Sequence, residues 1–280
     1  MFWEDLYNFL FFEATTPKLF GSFHIISAII LILLTVLAVY KLKDASEATF
    51  RKFLLAVWII LVVGEIYRQI CFALSLSDGI FVWDYAWYQF PFQLCSSPLY
   101  ALPFVIFLKE GKLRDGFLCF LSLWSFFGGA AVMIYASDIF IEVVGINIQS
   151  IVHHGLQAMV GVLIAVRNGR RMDKQYFLRG LYVYIAFLAV AMTLNLAGYN
   201  ILRATGHDDT FNMFFISPYF ECTLPVLSAI HKATSWWVLL PTYIFGFTAI
   251  ALLIFFLQRR PVIKFRKETT VQNEDSCKDT

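Results

Sequence analysis

Apolar residues in this chain fall in blocks near twenty residues long, the length that crosses a hydrocarbon core. Seven such blocks predict helices at about 19–41, 53–76, 92–108, 115–136, 147–167, 176–200 and 236–258. Polar and charged residues gather in the connections between them. The expected fold is therefore all-α: one seven-helix transmembrane bundle over residues 1–267. A polar tail, expected to be disordered, follows over 268–280 ("ETTVQNEDSCKDT"). The third block is the least regular, since Pro91, Pro98 and Pro103 interrupt it. A proline inside a helix releases a carbonyl that needs another partner. At membrane depth such breaks are tolerated where the backbone is buried in protein or lines a cavity.

Charge then orients the bundle. Eighteen lysines and arginines lie in the first, third and fifth connections and the tail, and only Lys18, Arg203 and Lys232 lie on the other side. This asymmetry places the N-terminus outside and the C-terminus in the cytoplasm. The outer segments are aromatic, as in "IFVWDYAWYQF" (80–90), where Trp83, Tyr85, Trp87 and Tyr88 fit an interfacial belt. The connection between the sixth and seventh helices is about 35 residues long, a length expected of a functional segment that caps the bundle or dips back into it.

Composition agrees with the blocks: of 280 residues, 59% are hydrophobic and 15% charged, and mean hydropathy is +0.69. A net charge of +2 without a basic aromatic stripe gives no footprint for nucleic acid. The five cysteines (Cys71, Cys95, Cys119, Cys222, Cys277) lack metal-ligand spacing and form no disulfide framework. No cofactor is implied, and membrane lipids are the expected partners. Glu4, Asp5 and Glu13 occupy the place of a basic leader region, so the first span is expected to direct insertion as a multi-pass protein of the plasma membrane.

Ionisable groups inside a span are costly, and each is a functional hypothesis. Placed by depth at about 1.5 Å per residue, His24, Glu65, Arg68, Gln93, Cys95, His154 and Asn195 all fall in the outer half of the bilayer. No comparable set is read in the cytoplasmic half, so one polar cavity opening to the outer leaflet is expected. Plainer roles stand beside this. Glu65 and Arg68 at i, i+3 form a pair on one helix face, His24 suits a packed, hydrogen-bonded histidine, and Asn195 suits an interhelical bond. Of "VHHG" (152–155), adjacent residues point about 100° apart, so a single histidine is expected to face the cavity. The other cysteines suit apolar filling, whereas Cys95 sits beside an irregular, polar-lined backbone. A nearby histidine there would take its proton.

Four segments carry a family resemblance: "GEIYR" (64–68), "FQLCSSPLY" (92–100), "SIVHHGLQAM" (150–159) and "LNLAGYN…FNMFFISPYF" (194–220). In this order the chain resembles the YwaF-like family of bacterial integral membrane proteins. It is more distantly similar to the eukaryotic acyltransferase transmembrane protein 164. The resemblance implies a seven-helix membrane protein related to lysophospholipid acyltransferases, which use a cysteine near the start of helix three and a histidine in helix five. By position these fall on Cys95 and His154, with His153 turned elsewhere. The asparagine-bearing segment falls on Asn195 and Asn212. The chain departs from the eukaryotic pattern in carrying Ser96, not histidine, after the cysteine.

Two function classes follow. In the first, a lipid acyltransferase or acyl hydrolase uses Cys95 and His154, with Gln93 or Asn195 donating to an oxyanion. Glu65 and Arg68 then hold the geometry or meet the headgroup. In the second, a receptor-like or transport protein binds a lipid or small solute in the same cavity, lined by His24, Glu65, Arg68, Gln93, Asn195 and Asn212. Oligomeric state is not read from the chain.

Overall fold

The computed structural model describes residues 2–77, 79–136, 139–169 and 172–276, with side chains described between 3 and 259. It is all-helical apart from one short hairpin. The elements are α1 (Phe2–Leu10), α2 (Ser22–Leu42), α3 (Glu47–Ala73), β1 (Leu74–Ser77), β2 (Ile80–Trp83), α4 (Ser97–Phe107), α5 (Lys112–Phe120), α6 (Phe126–Ile134), α7 (Val144–Asn168), α8 (Lys174–Ala204), α9 (Leu227–Ala233) and α10 (Trp236–Ser276). A π-helical turn, Leu121–Ser125, joins α5 to α6 into one rod. Among the described residues, six helices are long and apolar enough to cross a membrane: α2, α3, the α5–α6 rod, α7, α8 and α10 through Arg259. The chain is a multi-pass integral membrane protein.

The third expected span differs. Only eleven of its residues, Ser97–Phe107, are helical, a rise of about 16 Å against a core of about 30 Å. The cause is the prolines. Pro98 sits in the first turn of α4, where its missing N–H costs nothing, and the chain ahead of it is irregular at Phe92 and Gln93 and a turn over 94–96. Elsewhere the helices exceed the apolar blocks because caps set their ends. Ser46 accepts from Thr49 N–H (3.2 Å) and starts α3 at Glu47; Asp173 accepts from Tyr176 N–H (2.7 Å) and starts α8. At the far end α10 continues as helix to Ser276, across most of the stretch expected as a disordered tail. Residues 277–280, Cys277 among them, lie outside the described residues.

Packing sorts the helices into a covered centre and a lipid-facing rim. Along α7 most positions are buried, whereas α2 exposes Ile25, Ile29, Leu33 and Val36. Small residues let the centre close: a Cβ on Gly129 of α6 would lie 2.8 Å from the His154 carbonyl of α7. Aromatic pairs fill the interior, with Phe120 stacked on Phe187 at 4.8 Å and Trp124 on Tyr184 at 5.3 Å.

The two ends differ chemically. At the lysine- and arginine-rich end, Glu47 gathers Arg51 (3.0 Å), Arg114 and Arg167 (3.9 Å) from α3, α5 and α7. At the other end the connection after α8 turns into the bundle, burying Met213, Phe214, Ile216 and Ser217. Phe214 and Phe215 take left-handed conformations, φ 55° and 57°, to make that turn. Of the expected aromatic belt, Trp83 and Tyr88 are exposed. Tyr85 and Trp87 instead pack inward, edge to face at 5.1 Å.

Candidate functional site

The site is organised by the stretch between a 3-10 turn that ends at Gln89 and the start of α4 at Ser97. Local turns pair the carbonyls of Phe90, Gln93, Leu94 and Ser96 with nearby N–H groups, and the other buried carbonyls of the stretch must find partners elsewhere. Side chains from the surrounding helices supply them. The Gln89 carbonyl accepts from Arg68 Nη2 (2.8 Å) and Gln69 Nε2 (2.9 Å) of α3. Tyr100 Oη donates to the Pro91 carbonyl (2.8 Å) and Ser97 Oγ to that of Leu94 (2.7 Å). Gln157 Nε2 of α7 reaches the Leu94 carbonyl (3.4 Å) while bonded more tightly to the Ser125 carbonyl (2.7 Å). His153 Nε2 meets the Cys95 carbonyl at 3.1 Å.

That last contact corrects the expected orientation of the two histidines. His153 was expected to turn elsewhere, yet it is the one hydrogen-bonded to Cys95. Both are buried, because α7 lies in the covered centre of the bundle, and their rings are 5.4 Å apart. Their tautomers follow from their partners. A carbonyl only accepts, so His153 carries its proton on Nε2, and Nδ1 is left as a buried lone pair without a hydrogen bond. His154 meets the Ser150 carbonyl through Nδ1 (2.7 Å), so its proton sits there and Nε2 keeps the lone pair.

Around them lies an ion-pair network. Glu65 takes Arg68 Nη2 at 3.0 Å and Gln69 Nε2 at 2.6 Å; Arg68 Nη1 also reaches the Gln89 side chain, and Tyr85 Oη donates to Gln69 Oε1 (2.7 Å). Cys95 is a half-buried free thiol two residues before the start of α4, where the dipole of the helix favours negative charge. A cavity of about 470 Å³ lies against Glu65 and Gln69 between α3 and α4, with Trp83, Pro91, Leu99 and Tyr100 among its walls. Cys95 and the histidines are not part of its lining.

The other expected residues have separate tasks. Gln93 Nε2 donates to the Asn212 carbonyl (2.9 Å), and its Oε1 is buried without a partner. Asn195 clasps the backbone of Met213 from both sides, Nδ2 to its carbonyl (3.0 Å) and Oδ1 from its N–H (2.6 Å). Asn212 likewise bonds the Glu221 carbonyl (3.1 Å) and the Ser217 N–H (2.9 Å). Both asparagines hold the folded-in connection and do not point free groups into a cavity. His24 stands apart from the others. Its Nδ1 accepts from Phe20 N–H (3.1 Å), its Nε2 meets the Met133 carbonyl (2.8 Å), and Phe140 covers it edge-on.

Several participants escaped the sequence reading: His153, Gln157, Gln69, Gln89 and Tyr85. Gln69 carried a signal, being one turn beyond Glu65 at i, i+4; the others depend on which helices meet. Buried polar groups also occupy the arginine-rich half, contrary to expectation. Beside the π-helical turn, Tyr176 Oη, Tyr184 Oη and Trp124 Nε1 are buried without hydrogen-bond partners. Among the described residues no group of histidine, cysteine and carboxylate side chains is placed to hold a metal ion.

The family model described as the TMEM164 family matches residues 19–258, and the chain belongs to that family. No curated protein and no solved structure matches it.

Proposed function

We propose that this member of the TMEM164 family transfers or hydrolyses acyl groups of membrane lipids, with Cys95 as nucleophile and His154 as base. One observation carries the reading. His153 Nε2 bonds the Cys95 carbonyl, which ties α7 to the turn that carries the free Cys95 thiol, and the lone pairs on His153 Nδ1 and His154 Nε2 belong to that same stretch of α7. The resemblance to cysteine–histidine acyltransferases assigns the base to His154. His153 then acts as a positioning residue that fixes the Cys95 turn.

In the proposed reaction, the Cys95 S–H proton passes to His154 Nε2 as sulfur bonds to an ester carbonyl carbon. The tetrahedral oxyanion takes a hydrogen bond from Gln93, whose Nε2 keeps one N–H beyond its bond to the Asn212 carbonyl. The C–O bond breaks, the leaving alkoxide takes the proton from His154, and the acyl group stays on Cys95 as a thioester. An acceptor hydroxyl or water then gives its proton to His154 and bonds to the acyl carbon. The C–S bond breaks, and the thiolate takes the proton back. Glu65 and Arg68 hold the Gln89–Ser96 wall. The cavity beside them, open between α3 and α4, is the side from which a lipid approaches. The lysine and arginine count orients the arginine-rich end toward the cytoplasm, with α4 as a short seventh segment of the bundle; this puts the site at the outer leaflet of a cell membrane.

Purified protein in lipid nanodiscs, given a fluorescent glycerophospholipid ester, tests the roles. Cys95→Ala and His154→Ala are each expected to lower turnover by at least about 100-fold. His153→Ala is expected to lower it less, with the loss appearing in kcat. Wild-type turnover in both Cys95→Ala and His154→Ala overturns the mechanism. Loss in His153→Ala with wild-type turnover in His154→Ala moves the base to His153.

A further inference from the structure

A second cavity, about 580 Å³, runs along the lipid-facing side of α4, α5 and α8. Its walls are almost wholly apolar. On one side Phe104 and Phe117 stack at 4.2 Å, and on the other Phe187 lies on Phe92 at 5.9 Å. The floor is closed by the tight meeting of α5 and α8, where a Cβ on Gly116 would lie 3.0 Å from the Arg179 carbonyl. Its outer side opens past exposed Tyr182 and Val190. The charged residues are confined to one end. Lys112, the first residue of α5, is exposed there, and Arg179 is steadied by Asp115 at 2.8 Å.

Length and charge together define an occupant. From Arg179 to Val190 the groove follows α8 for about 16 Å, half of a core about 30 Å thick. That is the depth of one leaflet. An apolar slot one leaflet deep with cations at its rim matches a lipid whose chain lies in the slot and whose headgroup is negative. We infer that this groove binds a glycerophospholipid with an anionic headgroup from the leaflet on the arginine-rich side, one acyl chain between α4 and α8 and the phosphate at Lys112 and Arg179. Phe92 and Tyr100 border both sites, but the groove uses neither Cys95 nor the histidines and stands whether or not that chemistry is correct.

Native mass spectrometry of the full chain, stripped of lipid in detergent, tests this with phosphatidylglycerol and phosphatidylcholine of matched chains. Wild type is expected to retain one phosphatidylglycerol under activation that removes phosphatidylcholine, and free glycerol 3-phosphate is expected not to compete. Lys112→Ala should weaken phosphatidylglycerol retention about fivefold, from a cation's contribution near 1 kcal/mol. Ala186→Trp, which fills the groove from an exposed position, should remove retention of both lipids, and Cys95→Ala should leave it unchanged. Equal retention of the two lipids by wild type, or wild-type retention in Ala186→Trp, overturns the site.

Discussion

Two glutamates on α3 stand at opposite ends of the bundle and do different things. Glu47 and Glu65 are five turns apart, about 27 Å, and so share the helix face turned toward the other helices. Glu47 draws arginines from three separate helices. Each of those arginines also holds main-chain carbonyls: Arg51 that of Ile106, Arg114 that of Val105, and Arg167 those of Leu42, Lys43 and Ala45. It is a clamp in which the guanidinium groups are accounted for. Glu65 instead takes Arg68 and Gln69 from its own helix, and these lean onto the Gln89 carbonyl. Beside it lie a cavity, a half-buried thiol and two histidine lone pairs. Buried charge is used for assembly at one end and for shaping the irregular wall beside Cys95 at the other. The difference comes from the chain that each meets, regular helices at Glu47 and a proline-broken stretch at Glu65.

Exchanging each carboxylate for an amide sharpens this contrast. Glu47→Gln leaves the buried Arg114 without its counter-charge. Breaking a buried pair costs about 3–5 kcal/mol, and the partial exposure of Glu47 discounts this to about 2 kcal/mol. The expected result is a fall of about 5 °C in the thermal midpoint, with the turnover of surviving protein intact. Glu65→Gln should do the reverse, lowering turnover about tenfold with a smaller thermal shift. Equal thermal losses from both would erase the distinction. Asn195→Ala comes next. It strands the Met213 N–H and carbonyl in a buried setting, about 1–3 kcal/mol, and is expected to loosen the 205–235 connection toward protease before it affects the lipid reaction. The smallest effect is expected at His24. His24→Ala removes two backbone bonds at the α2–α6 contact, about 1 kcal/mol, and leaves turnover unchanged; a loss of turnover at normal stability would join His24 to the site after all.

Much of the bundle was legible in the sequence because a spanning helix needs only an unbroken apolar run. That criterion located α2, α3, α7, α8 and the membrane part of α10. It missed the true ends of α3 and α8, where Ser46 and Asp173 extend the helix into charged sequence that reads as loop. It also overestimated α4, whose prolines were noted without shortening the helix. At the site, the Glu65–Arg68 pair was legible since i, i+3 spacing lies within one helix. The histidines were not resolved, because the 100° rule assumes that one face is covered and α7 is covered nearly all round. Gln157 and Gln89 gave no local signal, as their partners lie 32 and 21 residues away along the chain. The clasping roles of Asn195 and Asn212 depend on a connection whose inward fold rests on left-handed Phe214 and Phe215, which no apolar pattern reveals.

The central claim is that Cys95, and not merely its surroundings, is chemically engaged. The most direct test is to incubate the purified chain with a glycerophospholipid ester, quench in acid and locate acyl groups by peptide mass spectrometry. The account predicts a hydroxylamine-labile acyl adduct on Cys95, reduced in His154→Ala and absent in Cys95→Ala. Lipid turnover with no adduct on Cys95, and at an unchanged rate in Cys95→Ala, would contradict it.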